Sequence, residues 1–239
     1  MSKIVAIHQP NFFPWLGFFD KIRRADVFVL MDNVQFPKKG GSWMNRVRLL
    51  VSGKPSWITM PVKRDYHGYR TIDEMEIDDS IPWRKKLVAT LKANYSKAPF
   101  FEKTMDFLQP LIFFQSSSVS EFNVNAITKI ASLAEWEEKL LLGSSLKSEG
   151  NATELLISMT KAAGGTAYLC GGGADGYQID SLFEEAGLEL IYQNFLYPSY
   201  PQYGAEEFAA GLSIIDVMMN TGIDGWALLR KGDPGNAKA

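Results

Sequence analysis

His8 ends the β-branched run "KIVAIH" and is followed at once by Gln9, Pro10 and Asn11. An imidazole at a strand end exchanges protons near neutral pH, so His8 is either a general acid or base or a side chain that fixes its loop by bonding a backbone carbonyl. Asp32 ends the second apolar run, "DVFVLM", with Asn33 and Gln35 close behind. It is the carboxylate expected to orient that imidazole or a substrate. In "PKKGGSWMNRVRLL", Lys38, Lys39, Arg46 and Arg48 surround Trp43 and Asn45. A guanidinium grips phosphate or carboxylate in two-point fashion, and an indole offers a flat platform for a sugar or base. A solvated hairpin edge is the other reading of this stretch. "CGGGADGY" (170–177) brings Gly171, Gly172 and Tyr177, either as backbone N–H groups facing an anion or as a tight turn. Gln202 lies in "YQNFLYPSYPQYG" (192–204), where four tyrosines and two prolines suit one wall of a pocket or simply cover the sheet's end. The expected site thus has His8 and Asp32 as catalytic groups, with Gln9, Asn11, Gln35, Trp43, Asn45, Arg46, Gly171, Gly172, Tyr177 and Gln202 binding ligand. Cys170 reads as a small core residue and His67 as surface. Two histidines and one cysteine, widely separated, lack zinc spacing, so no metal is expected, and no motif specifies a cofactor.

The elements that must carry these residues have an α/β rhythm. "KIVAIH", the helical "WLGFFDKIRRA" (15–25) and "DVFVLM" (26–31) form a βαβ unit whose continuous apolar strands predict a parallel pair buried on both faces. Residues 45–63 read as an antiparallel hairpin around Ser-Gly-Lys-Pro, which 71–78 could join. Residues 78–135 read as a helical insertion or layer, with Trp83, Leu87, Leu91 and Tyr95 on one face and Pro110 kinking or splitting a later helix. The rhythm then returns with strands at 139–144, 166–171 and 188–194 and helices at 152–164, 180–187 and 205–220. The expected fold is α/β, a mostly parallel sheet with helices on both faces, in one domain over 1–228 with a disordered tail at 229–239. In such sheets ligands bind outside the carboxyl ends of the strands. The predicted strand ends carry His8-Gln9, Asp32-Asn33, Ser144-Ser145, the glycine run and Gln193-Asn194.

A chain of 239 residues, 46% hydrophobic, holds a sizeable core, and a mixed net charge of −2 gives no footprint for general nucleic-acid or membrane-surface binding. No apolar run spans a bilayer and no signal pattern opens the chain, which reads as cytoplasmic. Oligomerisation is left open.

Several stretches, "HQPNFFPWLGFFDKI", "ADVFVLMDNVQFPKKGGSWMNRVRL", "GTAYLCGGGADGY" and "YPSYPQYGAEEFAAGLSIIDVMMNTG" among them, resemble the WbqC-like protein family over about residues 3 to 222. The resemblance implies a connection to bacterial O-antigen and surface-polysaccharide gene clusters. The first βαβ unit also resembles the start of nucleotidyltransferase-like folds, without their H-x-G-H signature. Together with the polar strand ends, the resemblance leads to an enzyme modifying an amino sugar or nucleotide-linked sugar, by acyl or aminoacyl transfer. The alternative is a non-catalytic binding protein for a nucleotide sugar or other small ligand.

Overall fold

Five short runs of aliphatic and aromatic residues pair side by side in parallel: β1 (Ile4–His8), β2 (Val27–Leu30), β5 (Leu140–Leu142), β6 (Ala167–Cys170) and β7 (Glu189–Tyr192). The computed structural model describes residues 2–171, 178–223 and 225–231. The strand order is β5-β2-β1-β6-β7, so β1 lies at the centre, the chain fills one side of it first and then crosses to the other. Side chains alternate across the pleat. Ala6, Phe28, Leu30 and Leu169 meet Phe18, Phe19 and Ile22 of α1 (Leu16–Arg24) on one face, in the larger core. Val5, Ile7, Val29, Tyr168 and Cys170 meet Met159 of α5 (Ala152–Ala162) and Phe183 of α6 (Asp180–Glu185) on the other. The expected α/β sheet with helices on both faces is therefore present.

The antiparallel hairpin is present too, as β3 (Arg46–Val51) and β4 (Lys54–Thr59). Its two-residue turn is Ser52-Gly53, both with positive φ (52° and 76°), the geometry that matches strand twist. A Cβ at Gly53 would stand 2.7 Å from the Gly204 carbonyl oxygen, a second reason for glycine there. Residues 71–78 do not extend the hairpin: they make single bridges, Gln35 to Thr71, Val62 to Ile77 and Glu76 to Ser118. Helices α2 (Trp83–Tyr95), α3 (Phe101–Ile112) and α4 (Val119–Ser132) occupy the stretch read as helical, and Trp83, Leu87, Leu91 and Tyr95 are all buried. Pro110 falls in the last turn of α3 and leaves the helix undivided.

The helix expected over 205–220 is shorter. α7 (Ile214–Thr221) starts only after Ser213, because Gly211 takes φ 74°, and the Ser213 hydroxyl accepts from the Ile215 N–H while donating to the Phe13 carbonyl. A short α8 (Ala227–Lys231) follows. Residues 232–239, most of the expected tail, lie outside the described residues.

The β1–α1 connection is clamped from three directions. Asn123 donates to the carbonyls of Pro10 and Met44, the Phe12 N–H donates to the Trp43 carbonyl, and the Ile214 N–H donates to the Pro14 carbonyl. These contacts hold Phe13 at φ 42°, a conformation a non-glycine residue keeps only under such restraint. The effect is to fix Trp15 beside His8, with ring centroids 5.5 Å apart.

Candidate functional site

The strand order reverses between β1 and β6, and there the crossover connections diverge to leave a crevice at the carboxyl ends. His8 closes β1 at this point, and it lines two cavities. One, of about 680 Å³, opens on the α1 side and is bounded by Trp15, Lys21, Trp43, Arg48, Gly171, Gln193 and Tyr197 among others. The second, of about 590 Å³, opens toward α5 and is bounded by Ile7, Gln9, Met31, Leu155, Leu156 and Tyr168 among others.

The His8 Nδ1 lies 3.0 Å from the carbonyl oxygen of Gln9. A carbonyl only accepts, so Nδ1 carries the hydrogen and Nε2 keeps its lone pair. Trp15 and Phe18 pack their rings against the imidazole at 5.5 and 5.0 Å. This desolvation, with the positive charge of Lys21 added to it, lowers the His8 pKa from 6.5 to about 4. At neutral pH it is an uncharged imidazole with a free acceptor nitrogen.

Lys21 is the residue the sequence reading missed. It sits on the buried face of α1, only 3% exposed, and its Nζ donates to the Ile7 carbonyl oxygen at 3.2 Å. Among the described residues no carboxylate pairs with it; burial lowers its pKa from 10.5 to about 8. A signal was available: Phe18, Lys21, Ile22 and Ala25 fall at i, i+3, i+4 and i+7, so the lysine occupies a core stripe of the helix. Its neighbour Asp20 is used elsewhere, accepting from Arg23 and from Gln193 Nε2, which also donates to the Gly17 carbonyl and so ties the end of β7 to α1. Gly17 lets Phe195 and Trp15 close over this corner, since a Cβ there would stand 2.9 Å from both rings.

Arg48 brings a second cation to the same cavity, next to Tyr197, whose hydroxyl burial pushes up to about 12 and keeps protonated as a donor. Trp43 supplies an indole wall, 40% exposed, 5.2 Å from Trp15 and 4.9 Å from Trp57. Among the described residues, no aspartate or glutamate lines this cavity. Two cations, a hydroxyl donor and indole faces without a countercharge suit an anionic ligand with a ring.

The other expected site residues have different surroundings. Asp32 is buried 112 residues before its partner Ser144, from whose N–H and hydroxyl it accepts at 2.8 Å each. Those bonds end β5 and hold the turn behind it, and no hydrogen bond joins Asp32 to His8. Asn45 closes its own loop, accepting from the Ser42 N–H and donating to the Met60 carbonyl. Arg46 lies over Trp57 at 4.1 Å and lines neither cavity; Arg48, two residues along the same strand, does. Gln35 is exposed and bridges to Thr71. Asn11 is buried, its side-chain amide has no hydrogen-bond partner among the described residues, and it lines neither cavity. Gln202 brackets Ala209 and reaches Asp216, a buried carboxylate that also accepts from the Tyr95 and Tyr200 hydroxyls at 2.8 and 2.7 Å. Gly171 faces the cavity; Gly172 and Tyr177 lie outside the described residues. Cys170 is buried and His67 exposed. The crevice therefore brings together His8, Trp43 and Gly171 of the expected set, adds Lys21 and Arg48, and gives Gln9 to the second cavity.

The architecture defines an α/β protein with a five-stranded parallel sheet and a crevice at its switch point. The chain belongs to the WbqC-like protein family, whose model matches residues 9–227. It is 31% identical over 231 residues to the uncharacterized protein Rv1507c of Mycobacterium tuberculosis, a match covering 95% of this chain and 98% of that one. No solved structure matches the chain. No helix among the described residues is long and apolar enough to cross a membrane.

Proposed function

We propose that this protein is an enzyme that modifies an amino sugar or a nucleotide-linked sugar in surface-polysaccharide biosynthesis, by acyl or aminoacyl transfer to the sugar amine. The observation that carries the reading is the convergence on one crevice of His8 with a free Nε2, two cations with no lining carboxylate among the described residues, and the indoles of Trp15 and Trp43. Lys21 and Arg48 hold the phosphate or carboxylate of the sugar, and the indoles lie against its ring. As the amine nitrogen attacks the carbonyl carbon of an activated donor, a thioester or acyl phosphate, the new C–N bond forms and the bond to the leaving group breaks. His8 Nε2 takes the proton released by the nitrogen and returns it to the leaving thiolate or phosphate.

One observation favours the non-catalytic alternative: Asp32 is spent on Ser144, so among the described residues no carboxylate bonds His8 to stabilise an imidazolium. Titration calorimetry with UDP-linked amino sugars, paired with mass spectrometry after addition of acyl thioesters, separates the two readings. Product that disappears in His8→Gln while binding persists supports the transferase; binding without product under every donor leaves a binding protein.

A further inference from the structure

The second cavity differs in chemistry from the first although His8 belongs to both. Its walls include Ile7, Met31, Val34, Leu155, Leu156 and Tyr168, and its polar lining residues are His8, Gln9 and Gln178. Met31, Val34, Leu155 and Leu156 remain partly exposed there, on either side of the carboxyl end of β1 and the first turns of α5. Aliphatic surface left open inside a cavity gains from an apolar occupant in proportion to the area covered. Among the described residues the Gln9 side-chain amide has no hydrogen-bond partner, so its N–H donors are available to an oxygen placed in this cavity.

We propose that this second cavity is the acyl-donor site, taking an apolar acyl chain with its carbonyl oxygen on the Gln9 amide and its carbonyl carbon next to His8. The inference rests on the acyl-transfer reading above and specifies its donor class: a straight or branched aliphatic acyl group rather than a charged one. The cationic cavity then holds the anionic sugar on the opposite side of His8. Direct transfer needs the amine nitrogen and the donor carbonyl carbon to meet at the rim by His8 that the two cavities share. The volume of about 590 Å³ accommodates a medium-length chain.

The test uses neutral primary amides, which keep the acyl carbonyl without an ionisable head. Butanamide, pentanamide, hexanamide and octanamide are titrated into the full chain with methyl NMR detection at Ile7, Val34, Leu155 and Leu156. Each added methylene should tighten binding about fourfold until the cavity is full, the affinity equivalent of burying one CH₂. Leu156→Trp, which fills the cavity, should abolish that chain-length dependence while binding of UDP-glucosamine in the cationic cavity is unchanged; Leu155→Phe serves the same purpose if the first variant does not fold. Gln9→Leu should weaken every amide by a similar factor without altering the increment per methylene. A flat chain-length series, or shifts confined to other methyl groups, overturns the acyl-chain site. A steep series at these methyls with no binding of UDP-glucosamine keeps the apolar site and removes the sugar reading instead.

Discussion

Replacing Lys21 by Met tests the site through stability as well as binding. Methionine keeps the apolar stem packed in α1 and removes the ammonium. The wild-type amine titrates at about 8 in the fold against 10.5 when free, with burial as the cause. At about 1.4 kcal/mol per pKa unit, holding the ammonium in this position costs ~3 kcal/mol near neutral pH. The sign follows from proton binding: between about 8 and 10.5 the unfolded chain binds more protons than the folded one, so stability rises with pH across that window. Lys21→Met should therefore be more stable than wild type near pH 7, by ~2 kcal/mol once the lost bond to the Ile7 carbonyl is subtracted. Near pH 10 the advantage should shrink to about 1 kcal/mol or less. Urea unfolding of both proteins at the two pH values measures the difference, and titration of UDP or inorganic phosphate measures the accompanying loss of anion affinity. A variant that is less stable than wild type near pH 7 would refute the reasoning, because the ammonium would then have an adequate partner within the fold and no need of a ligand.

Other perturbations separate binding from architecture. Arg48→Met should weaken UDP binding roughly 10- to 100-fold, the range for one charge-assisted hydrogen bond, while Arg46→Met, whose guanidinium lies on Trp57 outside the cavity, should change it little; calorimetry compares them. Asp32→Asn should lower stability by ~2 kcal/mol through its contacts with Ser144 and leave ligand affinity intact, as read by denaturation and titration in parallel. His8, lowered from 6.5 to about 4, binds protons less readily when folded, so wild-type stability should fall as pH drops through that window and His8→Gln should lose part of this slope in urea unfolding. Asp216→Asn leaves one of the Tyr95 and Tyr200 hydroxyls facing an amide N–H group, and a loss of ~2 kcal/mol is expected with ligand binding retained at saturation.

Much of the sheet was legible because it is written in local pattern. The continuous apolar runs ending at His8, Leu30 and Cys170 are the signature of strands buried on both faces, and the turn chemistry of Ser52-Gly53 marks the hairpin. Local pattern misled where a distant contact prevailed. The apolar spacing at 205–212 suggested helix, yet Gln202 captures the Ala209 backbone and Ser213 turns to the Phe13 carbonyl, so the helix begins late.

The same division runs through the site. That His8 and Gln9 stand at a strand end follows from residue order alone, since the side-chain period and the strand's end place them at the carboxyl edge. Which carboxylate, if any, would serve His8 depends on partners far along the chain. Asp32 was the candidate because it follows the neighbouring strand, and Ser144 claims it in space. Arg46 and Arg48 are two positions apart on one strand and chemically alike; only the packing of Trp57 under Arg46 and of Tyr197 beside Arg48 distinguishes them. Lys21 shows the point most plainly. Sequence determined that a lysine interrupts an apolar stripe, but its charge acquires meaning only when β1 and β6 pair, bring the Ile7 carbonyl and Gly171 beside it, and exclude the water that would otherwise have solvated it.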